Sequence, residues 1–428
     1  MGCSKNLIDS ERLMRRLAAK GYSMAHDPEQ PSGEYVMVNT CGFIGDAKEE
    51  SIQMLLELAQ LKEEGEIGKL AVMGCLSQRY MEELKESIPE VDLWYGKFDW
   101  NAFVEDLPDL TVSELTPKPW ERTLTTPPYS AYLKISEGCN RFCAFCAIPL
   151  ITGRHTSRPI EEIVEEVKEL VKEGVTEFNV IAQDLSSYGL DLYGRHALAE
   201  LIERISDIEG VVWIRLHYAY PSDFPWDVLR VMRERDNVCK YLDVALQHIS
   251  DNVLTAMRRH ITKQQTLDFI SRVRREVPDI KLRTTLMVGF PGETKEDFLE
   301  LLAFIEEAKF DRMGAFAYSE ESDTYAAIHL TDDVPEETKQ RRLDILMERQ
   351  EEISLASQQK MIGKTVKVLI DSVDPDTATA IGRTQWDSPE VDPEVLINDA
   401  ADLRPGQYIQ AQITDADEFT LFAAISEE

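Results

Sequence analysis

From residue 131 onward, short apolar runs alternate with amphipathic helical patterns, and this alternation limits the fold more than any other feature of the 428-residue chain. Strands are predicted at Tyr132 to Ser136, Phe178 to Ala182, Val211 to Leu216, Tyr241 to Leu246, Leu282 to Val288 and Arg312 to Phe316. Strands that alternate with helices pair in parallel, because each helix carries the chain back across the sheet. Six units predict a partial (βα)6 barrel, with its chemistry at the carboxyl ends of the strands.

The first 110 residues show the same alternation in a smaller unit. Strands are predicted at Tyr35 to Asn39 and Lys69 to Met73, and helices at Ala47 to Lys62 and Gln78 to Ile88. This pattern predicts an α/β layer that is separate from the barrel. The proline-rich stretch that follows, from residue 108 to 128, is typical of a linker.

The last part of the chain has a different pattern. A charged helix is predicted from Glu336 to Gln359. Short strands separated by Gly, Pro and Asp turns follow it at Val366 to Ile370, Ala378 to Ile381, Val395 to Ile397, Tyr408 to Ile413 and Thr420 to Ile425. Such strands favour a small antiparallel β-barrel. The sequence therefore predicts an α/β protein with domains at residues 1–110, 125–360 and 361–428.

Three of the seven cysteines form one run in the loop after the first strand of the predicted barrel. Cys139, Cys143 and Cys146 have the spacing C-x3-C-x2-C. Three thiolates so close together can hold three irons of a four-iron cluster, which leaves the fourth iron open to a ligand. Neither the four cysteines of an electron-transfer cluster nor the second C-x2-C pair of a structural zinc site is present in this pattern. A zinc site and three unrelated buried thiols stay open as alternatives.

Three further cysteines are spread over the predicted N-terminal layer. Cys41 and Cys75 each follow a predicted strand, and Cys3 precedes the first helix. Because loops at the carboxyl ends of parallel strands gather ligands, these three cysteines could converge on a second site. Buried, inert thiols would explain the spacing equally well. Cys239 belongs to no motif, and we predict a core thiol there.

The charge of the chain bears on its partners. Its 46 basic and 78 acidic residues give a formal net charge of −32. Nucleic acids bind chiefly through Lys and Arg at their phosphates, so this charge disfavours nucleic acid and favours a basic macromolecule. A general solubility role or an acidic proteome would explain the charge as well. Because the sequence has no run of eighteen apolar residues and no signal peptide, we expect a cytoplasmic protein without a membrane partner.

The cysteine run, with the aromatic Phe145 before its last cysteine, resembles the signature of the radical S-adenosylmethionine superfamily. In that superfamily the open iron binds S-adenosylmethionine, and one electron from the cluster splits it to give a 5′-deoxyadenosyl radical. The resemblance implies that Cys139, Cys143 and Cys146 hold a catalytic 4Fe-4S cluster.

Three more segments extend this resemblance to nearly the whole chain. Residues 2–6 (GCSKN), 39–44 (NTCGFI) and 74–80 (GCLSQRY) resemble the auxiliary-cluster motifs of the methylthiotransferases, which carry an auxiliary-cluster domain, a radical barrel and a C-terminal TRAM domain. By that resemblance Cys3, Cys41 and Cys75 hold a second 4Fe-4S cluster. The family normally has a strand before the first of these cysteines, so we expect that strand to be absent or to lie upstream of Met1.

Five segments resemble the methylthiotransferases that modify ribosomal protein uS12: residues 136–139 (SEGC), 182–184 (AQD), 215–221 (RLHYAYP), 246–250 (LQHIS) and 387–392 (DSPEVD). Those enzymes replace a β-carbon hydrogen of an aspartate with a methylthio group, using one S-adenosylmethionine as methyl donor and another as radical source. The resemblance implies uS12, free or on the small ribosomal subunit, as the substrate, and an electron donor as a second partner.

The C-terminal 68 residues agree with a protein substrate, because four basic residues against fourteen acidic ones would repel RNA and attract a basic ribosomal protein. Two alternatives stay open. One is a tRNA-base methylthiotransferase, and the other is a non-catalytic iron–sulfur protein that docks on the ribosome.

Residues after the predicted strands complete the candidate site. Gln183, Asp184 and Gln247 could bind the ribose or methionine part of S-adenosylmethionine, and Gly289 would let the backbone approach its nucleoside beside Phe145. Helix capping would explain the polar residues, and a tight turn would explain the glycine, nearly as well.

Overall fold

Parallel strands with helices on both faces form the N-terminal part of the protein in the computed structural model, which describes residues 2–42, 45–110 and 116–426. The elements are α1 (Ser4–Ala19), β1 (Gly33–Thr40), α2 (Gly45–Glu63), β2 (Ile67–Gly74), α3 (Cys75–Ser87), β3 (Leu93–Trp94) and α4 (Trp100–Asp106). The strands pair in the order β1-β2-β3, and both pairs are parallel. The predicted α/β layer is confirmed, and the motif positions Phe43 and Ile44 lie outside the described residues.

The central strand β2 is covered on both faces, which explains why its sequence is an almost unbroken apolar run. Leu70 and Val72 belong to a core shared with α2, whereas Ala71 and Met73 belong to a second core shared with α1 and α4. Parallel strands that are buried on both sides require such runs. The strand thereby fixes Cys75, the first residue of α3, at the carboxyl end of the sheet.

The central part of the protein is built on a six-stranded parallel sheet. Its elements are β4 (Ser130–Lys134), β5 (Ser136–Glu137), α5 (Ile148–Thr152), β6 (Thr156–Ser157), α6 (Ile160–Lys172), β7 (Glu177–Ile181), a 3-10 helix (Leu185–Ser187), α7 (Leu190–Tyr193), α8 (Leu198–Ser206), β8 (Trp213–Ala219), α9 (Asp227–Glu234), β9 (Val238–Val244), α10 (Asp251–Ala256), α11 (Lys263–Glu276), β10 (Lys281–Val288), α12 (Lys295–Ala308), β11 (Arg312–Ala317) and α13 (Tyr325–His329). The order β4-β7-β8-β9-β10-β11 confirms the predicted partial barrel.

Amphipathic helices cover one face of this sheet. In α6, Ile160, Ile163, Val167 and Leu170 are buried at intervals of three or four residues, which places them on one helical face against the core. Within the described part of the chain, no helix is both long and apolar enough to cross a membrane.

A long helix leads into a closed five-stranded barrel at the C-terminus. These elements are α14 (Glu336–Gln359), β12 (Thr365–Asp374), β13 (Thr379–Thr384), β14 (Glu394–Ile397), β15 (Tyr408–Ala416) and β16 (Thr420–Ile425). The barrel order is β12-β13-β14-β16-β15. The predicted small barrel is confirmed, although the pairing of β14 with β16 is parallel while the other pairings are antiparallel.

Buried polar contacts fasten this barrel to the central sheet. Glu177 of β7 accepts hydrogen bonds from Arg383 of β13 at 2.9 and 3.0 Å and from Arg215 of β8 at 2.5 Å. Asp392, between β13 and β14, accepts a hydrogen bond from the Tyr241 hydroxyl of β9 at 2.7 Å. Buried charges are tolerated when they are paired in this way. The segment between β13 and β14 therefore contacts the central sheet directly.

Candidate active site

The cysteine run lies just beyond the carboxyl end of the first strand of the central sheet. Cys139, Cys143 and Cys146 occupy the loop between β5 and α5. The loop is held in place by the end of helix α10, because Ala144 N donates a hydrogen bond to Met257 O at 2.9 Å. All three thiols thus come from one short, anchored segment at the edge where chemistry occurs in parallel barrels.

Polar side chains surround these thiols in a buried setting. Arg259 Nη1 donates to Cys143 Sγ at 3.2 Å, and the Tyr220 hydroxyl oxygen lies 3.9 Å from the same sulfur. Burial raises the pKa of the Cys139 thiol to about 11 and also raises the pKa of Cys146. Thiols of this kind lose their protons when a metal binds, since a bound cation reverses the cost of the thiolate charge.

Three residues beside the run had no role in our sequence analysis. The Tyr220 ring lies between the guanidinium groups of Arg141 and Arg259, at 4.3 and 4.1 Å from the ring centre. Arg141 Nε donates to Asp184 Oδ2 at 2.7 Å, and its Nη2 is buried without a partner. Tyr220 lies in the segment 215–221 that carried the family resemblance. Arg259 is 116 positions from Cys143, and no sequence signal joins the two.

Gln183 and Asp184 follow β7 but have different surroundings. Asp184 caps the 3-10 helix, because its Oδ1 accepts from Ser186 N at 2.9 Å and its Oδ2 from Ser187 Oγ at 2.6 Å. Gln183 Nε2 donates to Glu137, while its Oε1 is buried and has no hydrogen-bond partner among the residues described. Gln183 therefore keeps an acceptor for a ligand, whereas the oxygens of Asp184 already serve the capping role that the sequence left open.

Gln247 and Gly289 lie beyond β9 and within the turn after β10. Gln247 N donates to Thr285 O at 2.9 Å and its O accepts from Met287 N at 2.7 Å, so the residue continues the sheet. Its Oε1 is buried without a partner. Gly289 has φ +74°, and a Cβ there would lie 2.3 Å from Lys339 Cγ. Both the positive φ and the close packing of α14 therefore require a glycine at this position.

Phe145 connects the cysteine run to the far end of the sheet. Its ring packs edge-on against Phe290 at 6.3 Å, and Phe290 packs against Tyr318 at 5.1 Å between ring centres. Edge-to-face aromatic pairs of this kind are attractive. The aromatic before the last cysteine thus anchors the loop against the segments that follow β10 and β11.

The other three cysteines come from separate parts of the N-terminal layer and lie near one another. Cys41 follows β1, Cys75 begins α3, and both are buried, with 7% and 8% of their surface exposed. A Cβ on Gly2, the neighbour of Cys3, would lie 3.4 Å from Cys41 Cβ, and a Cβ on Gly42 would lie 2.8 Å from the carbonyl carbon of Cys75. Two glycines therefore let the three cysteine-bearing segments approach closely.

Asn6 links these segments by hydrogen bonds. Its Nδ2 donates to Thr40 O at 3.1 Å, and its Oδ1 accepts from Cys75 Sγ at 3.4 Å. Asn39 Nδ2 donates to Asn6 O at 2.9 Å. Burial raises the pKa of Cys75 to about 12. Asn6 lies in the motif at residues 2–6, but the sequence alone did not indicate a role for it.

The two sets of cysteines adjoin each other across the contact between α3 and α5. Cys75 packs in one apolar cluster with Ala147 and Ile151, and Ala147 is the residue after Cys146. One set is thus carried by the N-terminal layer and the other by the central sheet, on surfaces that touch.

A buried ion network lies at the same contact. Lys97 Nζ lies 2.8 Å from Asp9 Oδ2, Lys134 Nζ pairs with the other oxygen of Asp9, and Lys134 lies 2.9 Å from Glu137 Oε2. Although burial opposes ionisation, Lys134 and Lys97 lower the pKa of Asp9. Glu137 stands two residues before Cys139, so the network ties α1 to the base of the cysteine run.

The residues present fit a cluster with a polar ligand better than a single metal ion. Within the described ranges, no three Cys, His, Asp or Glu side chains are grouped to hold one ion. In a 4Fe-4S cluster each thiolate binds a different iron, so its ligands stand further apart. Four buried polar atoms in the run, just before it or after neighbouring strands have no hydrogen-bond partner among the described residues, namely Ser136 Oγ, Arg141 Nη2, Gln183 Oε1 and Gln247 Oε1. Buried polar groups are almost always satisfied, so these atoms indicate a ligand.

Comparison with known families covers most of the chain. Residues 133–305 match the Radical SAM superfamily, residues 362–425 match the TRAM domain, and residues 1–96 match the Uncharacterized protein family UPF0004. The Radical SAM and UPF0004 matches imply S-adenosylmethionine and iron–sulfur clusters as cofactors.

Curated relatives match over the full length. The chain is 60% identical to the ribosomal protein uS12 methylthiotransferase RimO of Bacteroides thetaiotaomicron, over 99% of this chain and 97% of that protein. It is also 60% identical to the protein of the same name from Phocaeicola vulgatus, over 99% and 98%, and 57% identical to that of Porphyromonas gingivalis, over 99% and 97%.

Among solved structures, the radical S-adenosylmethionine methyltransferase TsrM from Kitasatospora setae, with tryptophan and a S-adenosylmethionine analogue bound, resembles the chain with a TM-score of 0.53. The two are 14% identical, over 73% of this chain and 70% of that chain. At this identity the likeness concerns the fold alone.

Proposed function

The chain belongs to the family of ribosomal protein uS12 methylthiotransferases, and from that membership we propose that it replaces a hydrogen on the β-carbon of a uS12 aspartate with a methylthio group. Hydrogens on that carbon are too weakly acidic for a side-chain base to remove at useful cost. A reaction there calls for hydrogen-atom removal by a radical, which is the chemistry of the matched superfamily.

The adjacency of the two cysteine sets carries this proposal. We assign Cys139, Cys143 and Cys146 to a catalytic 4Fe-4S cluster, and Cys3, Cys41 and Cys75 to an auxiliary 4Fe-4S cluster. The packing of Cys75 against the residue that follows Cys146 supports a reaction that uses both. Bound there, the cofactors supply a carbon radical that takes the hydrogen atom, and the sulfur and methyl group that replace it.

The protein's own residues bind, orient and shield the reacting groups. We assign Gln183, Gln247, Gly289, Phe145 and Asp184 to the S-adenosylmethionine site. The unpartnered Oε1 atoms of Gln183 and Gln247 would accept hydrogen bonds from the amino or ribose hydroxyl groups. Asp184 would act indirectly, because it holds Arg141 at 2.7 Å. Phe145 would position the cysteine loop, and Gly289 would keep the neighbouring turn narrow.

We further propose three functional domains: an auxiliary-cluster domain at residues 1–110, a radical barrel at 125–360 and a TRAM domain at 361–428. The partners would be uS12, free or on the small ribosomal subunit, and an electron donor, because cleavage of S-adenosylmethionine consumes one electron. The net charge of −32 supports a basic protein substrate over nucleic acid.

The test is an anaerobic reaction of the reduced, cluster-reconstituted protein with S-adenosylmethionine and sulfide, in which uS12 and bulk tRNA are offered together. Mass spectrometry of both should find a methylthio group on an aspartate of uS12. A gain on tRNA alone would support the tRNA-base enzyme instead. Absence of 5′-deoxyadenosine would support the non-catalytic alternative.

A pair of cysteine substitutions separates the two clusters. Cys143→Ala should abolish 5′-deoxyadenosine formation while the auxiliary cluster's iron stays bound. Cys239→Ala is the matched control, since Cys239 is buried against Trp213 and Tyr241 away from both sets, and it should keep the activity. If Cys143→Ala loses all iron, the assignment of two separate clusters is wrong.

A further inference from the structure

A lysine of the N-terminal layer contacts a tyrosine of the central sheet. Lys5 Nζ lies 3.5 Å from the centre of the Tyr218 ring. Lys5 is two residues after Cys3, and Tyr218 is two residues before Tyr220, whose hydroxyl lies 3.9 Å from Cys143 Sγ. The contact therefore links a residue close in sequence to Cys3 with a residue close in sequence to Tyr220, which lies beside Cys143.

Lys5 differs from the neighbouring cations in having no carboxylate partner among the described residues. Arg215 pairs with Glu177 at 2.5 Å, and Arg283 lies 3.4 Å from Asp243. The Lys5 ammonium instead contacts an aromatic face, which stabilises a cation without neutralising its charge. Lys5 is thus a partly buried positive charge available to an anion.

His217 is a buried imidazole beside Tyr218, with 5.9 Å between the ring centres. The side chain is buried, with 5% of the residue exposed, and its Nε2 has no hydrogen-bond partner in the part of the chain that the structure describes. Burial, together with Arg215, Arg283 and Lys5, holds the pKa of His217 well below its usual range. Arg215 and Arg283 already have carboxylate partners, so Lys5 is the cation of the three that remains for an anionic group, although the chain carries a net charge of −32.

The backbone of Tyr218 is strained at the same place. Its φ is +65°, which bulky residues rarely adopt. A hydrogen bond from Tyr218 N to Asp243 Oδ2 at 3.2 Å holds this conformation, and 36% of the residue is exposed. Strain of this kind is concentrated at functional sites. Here it presents an aromatic ring that contacts Lys5 across the junction of the N-terminal layer and the central sheet.

We propose that Lys5, which contacts the Tyr218 ring, binds the carboxylate of the aspartate that is modified, with His217 Nε2 as a second polar group nearby. This inference rests on the proposed function and assigns the recognition of its substrate side chain. The carboxylate is bonded to the carbon that reacts, so a cation that fixes it also fixes the β-carbon. A charged hydrogen bond in a partly buried site would distinguish aspartate from asparagine.

The first experiment uses the unaltered enzyme and compares two substrates. The reconstituted wild-type protein is offered uS12 and uS12 with the modified aspartate replaced by asparagine, and kcat/KM is measured by mass spectrometry for each. Loss of one charged hydrogen bond predicts about a 10- to 100-fold preference for aspartate. Equal use of both proteins overturns the proposal. A wild-type protein that modifies neither contradicts the proposed function itself.

Three variants test the lysine. Lys5→Met should lower kcat/KM for the aspartate substrate by about 10- to 100-fold and bring the aspartate-to-asparagine ratio close to one, and Lys5→Arg should restore most of the preference. Lys85→Met is the matched control, because Lys85 lies on the surface of the same layer and pairs with exposed Glu82. It should behave as wild type.

Iron content and substrate binding provide readouts besides turnover. Lys5→Met should bind as much iron as wild type and form 5′-deoxyadenosine without substrate at the same rate. Its affinity for uS12, measured by fluorescence anisotropy, should no longer depend on whether the residue is aspartate or asparagine. Lys5→Gln is a second variant that removes the charge and should behave as Lys5→Met does. If either variant keeps the wild-type preference for aspartate, or if both lose iron while Lys5→Arg does not recover the preference, the proposal is wrong.

Discussion

Gly42→Ala is predicted to separate auxiliary-cluster binding from the rest of the protein. A Cβ at this position would lie 2.7 Å from both Cα and N of Leu76 and 2.8 Å from the carbonyl carbon of Cys75. These are backbone atoms at the start of α3, so no side-chain rotation can relieve the contact. The segments that carry Cys41 and Cys75 must move apart.

The size of that movement decides which effect dominates. Carbon atoms in ordinary contact lie about 3.5–4.0 Å apart, so the two segments must separate by about 1 Å. Overpacking of this kind costs about 1–3 kcal/mol, which a chain of this size can absorb. Metal sites tolerate only about 0.2 Å in their ligand distances. We therefore expect loss of the auxiliary cluster before loss of the fold.

Iron analysis and thermal unfolding check this prediction together. Gly42→Ala should lower the iron content from about eight to about four atoms per chain, since one of two four-iron clusters is lost. It should still form 5′-deoxyadenosine but no methylthiolated product. Gly45→Ala is the control, because the nearest atom, Ser319 Oγ, would lie 4.0 Å from the added Cβ. If Gly42→Ala keeps full iron and activity, Cys41 and Cys75 do not share a site.

Two further predictions concern the charged groups of the site. Asp9→Asn removes the carboxylate between two buried lysines, Lys97 and Lys134, and should lower the free energy of unfolding by about 3–5 kcal/mol in denaturant titrations. Glu82→Gln, at an exposed ion pair, is the control and should lower it by less than about 1 kcal/mol. Equal unfolding midpoints for the two variants would contradict the stabilising role of the network. Arg259→Met removes a positively charged donor to Cys143 Sγ and should make the reduction potential of the catalytic cluster more negative. A redox titration followed by electron paramagnetic resonance measures this potential. An unchanged potential would show that the Arg259 contact does not affect it.

The fold was predictable wherever local pattern determines it. Strands β2, β4, β7, β8 and β9 are largely buried on both faces, so their apolar content identifies them without knowledge of their neighbours, whereas the edge strand β11 is mostly only partly buried. The parallel pairing of β14 with β16 was not predictable, because closure of the C-terminal barrel, and not the local sequence, sets which short strands pair. Pairing depends on the whole barrel, whereas strand formation depends on a few residues.

The candidate site divides in the same way. The cysteines are visible in the sequence because their spacing or their position after a strand is local information. The hydrogen bond of Asn6 to Cys75 spans 69 positions, and that of Arg259 to Cys143 spans 116 positions. Such contacts exist only after the N-terminal layer and the central sheet have packed, so residue type alone could not reveal them.

Charge shows why the local field of a site cannot be read from composition. The formal charge of −32 is a sum over the whole chain, and it bears on how a basic protein is attracted from a distance. Beside the contact of Lys5 with Tyr218, however, burial and then Arg215, Arg283 and Lys5 lower the pKa of His217. Because solvent and salt screen surface charges more than buried ones, the nearby cations affect the electrostatic potential at His217 more than the distant surface carboxylates do. An acidic surface can therefore draw in a basic substrate while one lysine, Lys5, as we propose, binds its single carboxylate.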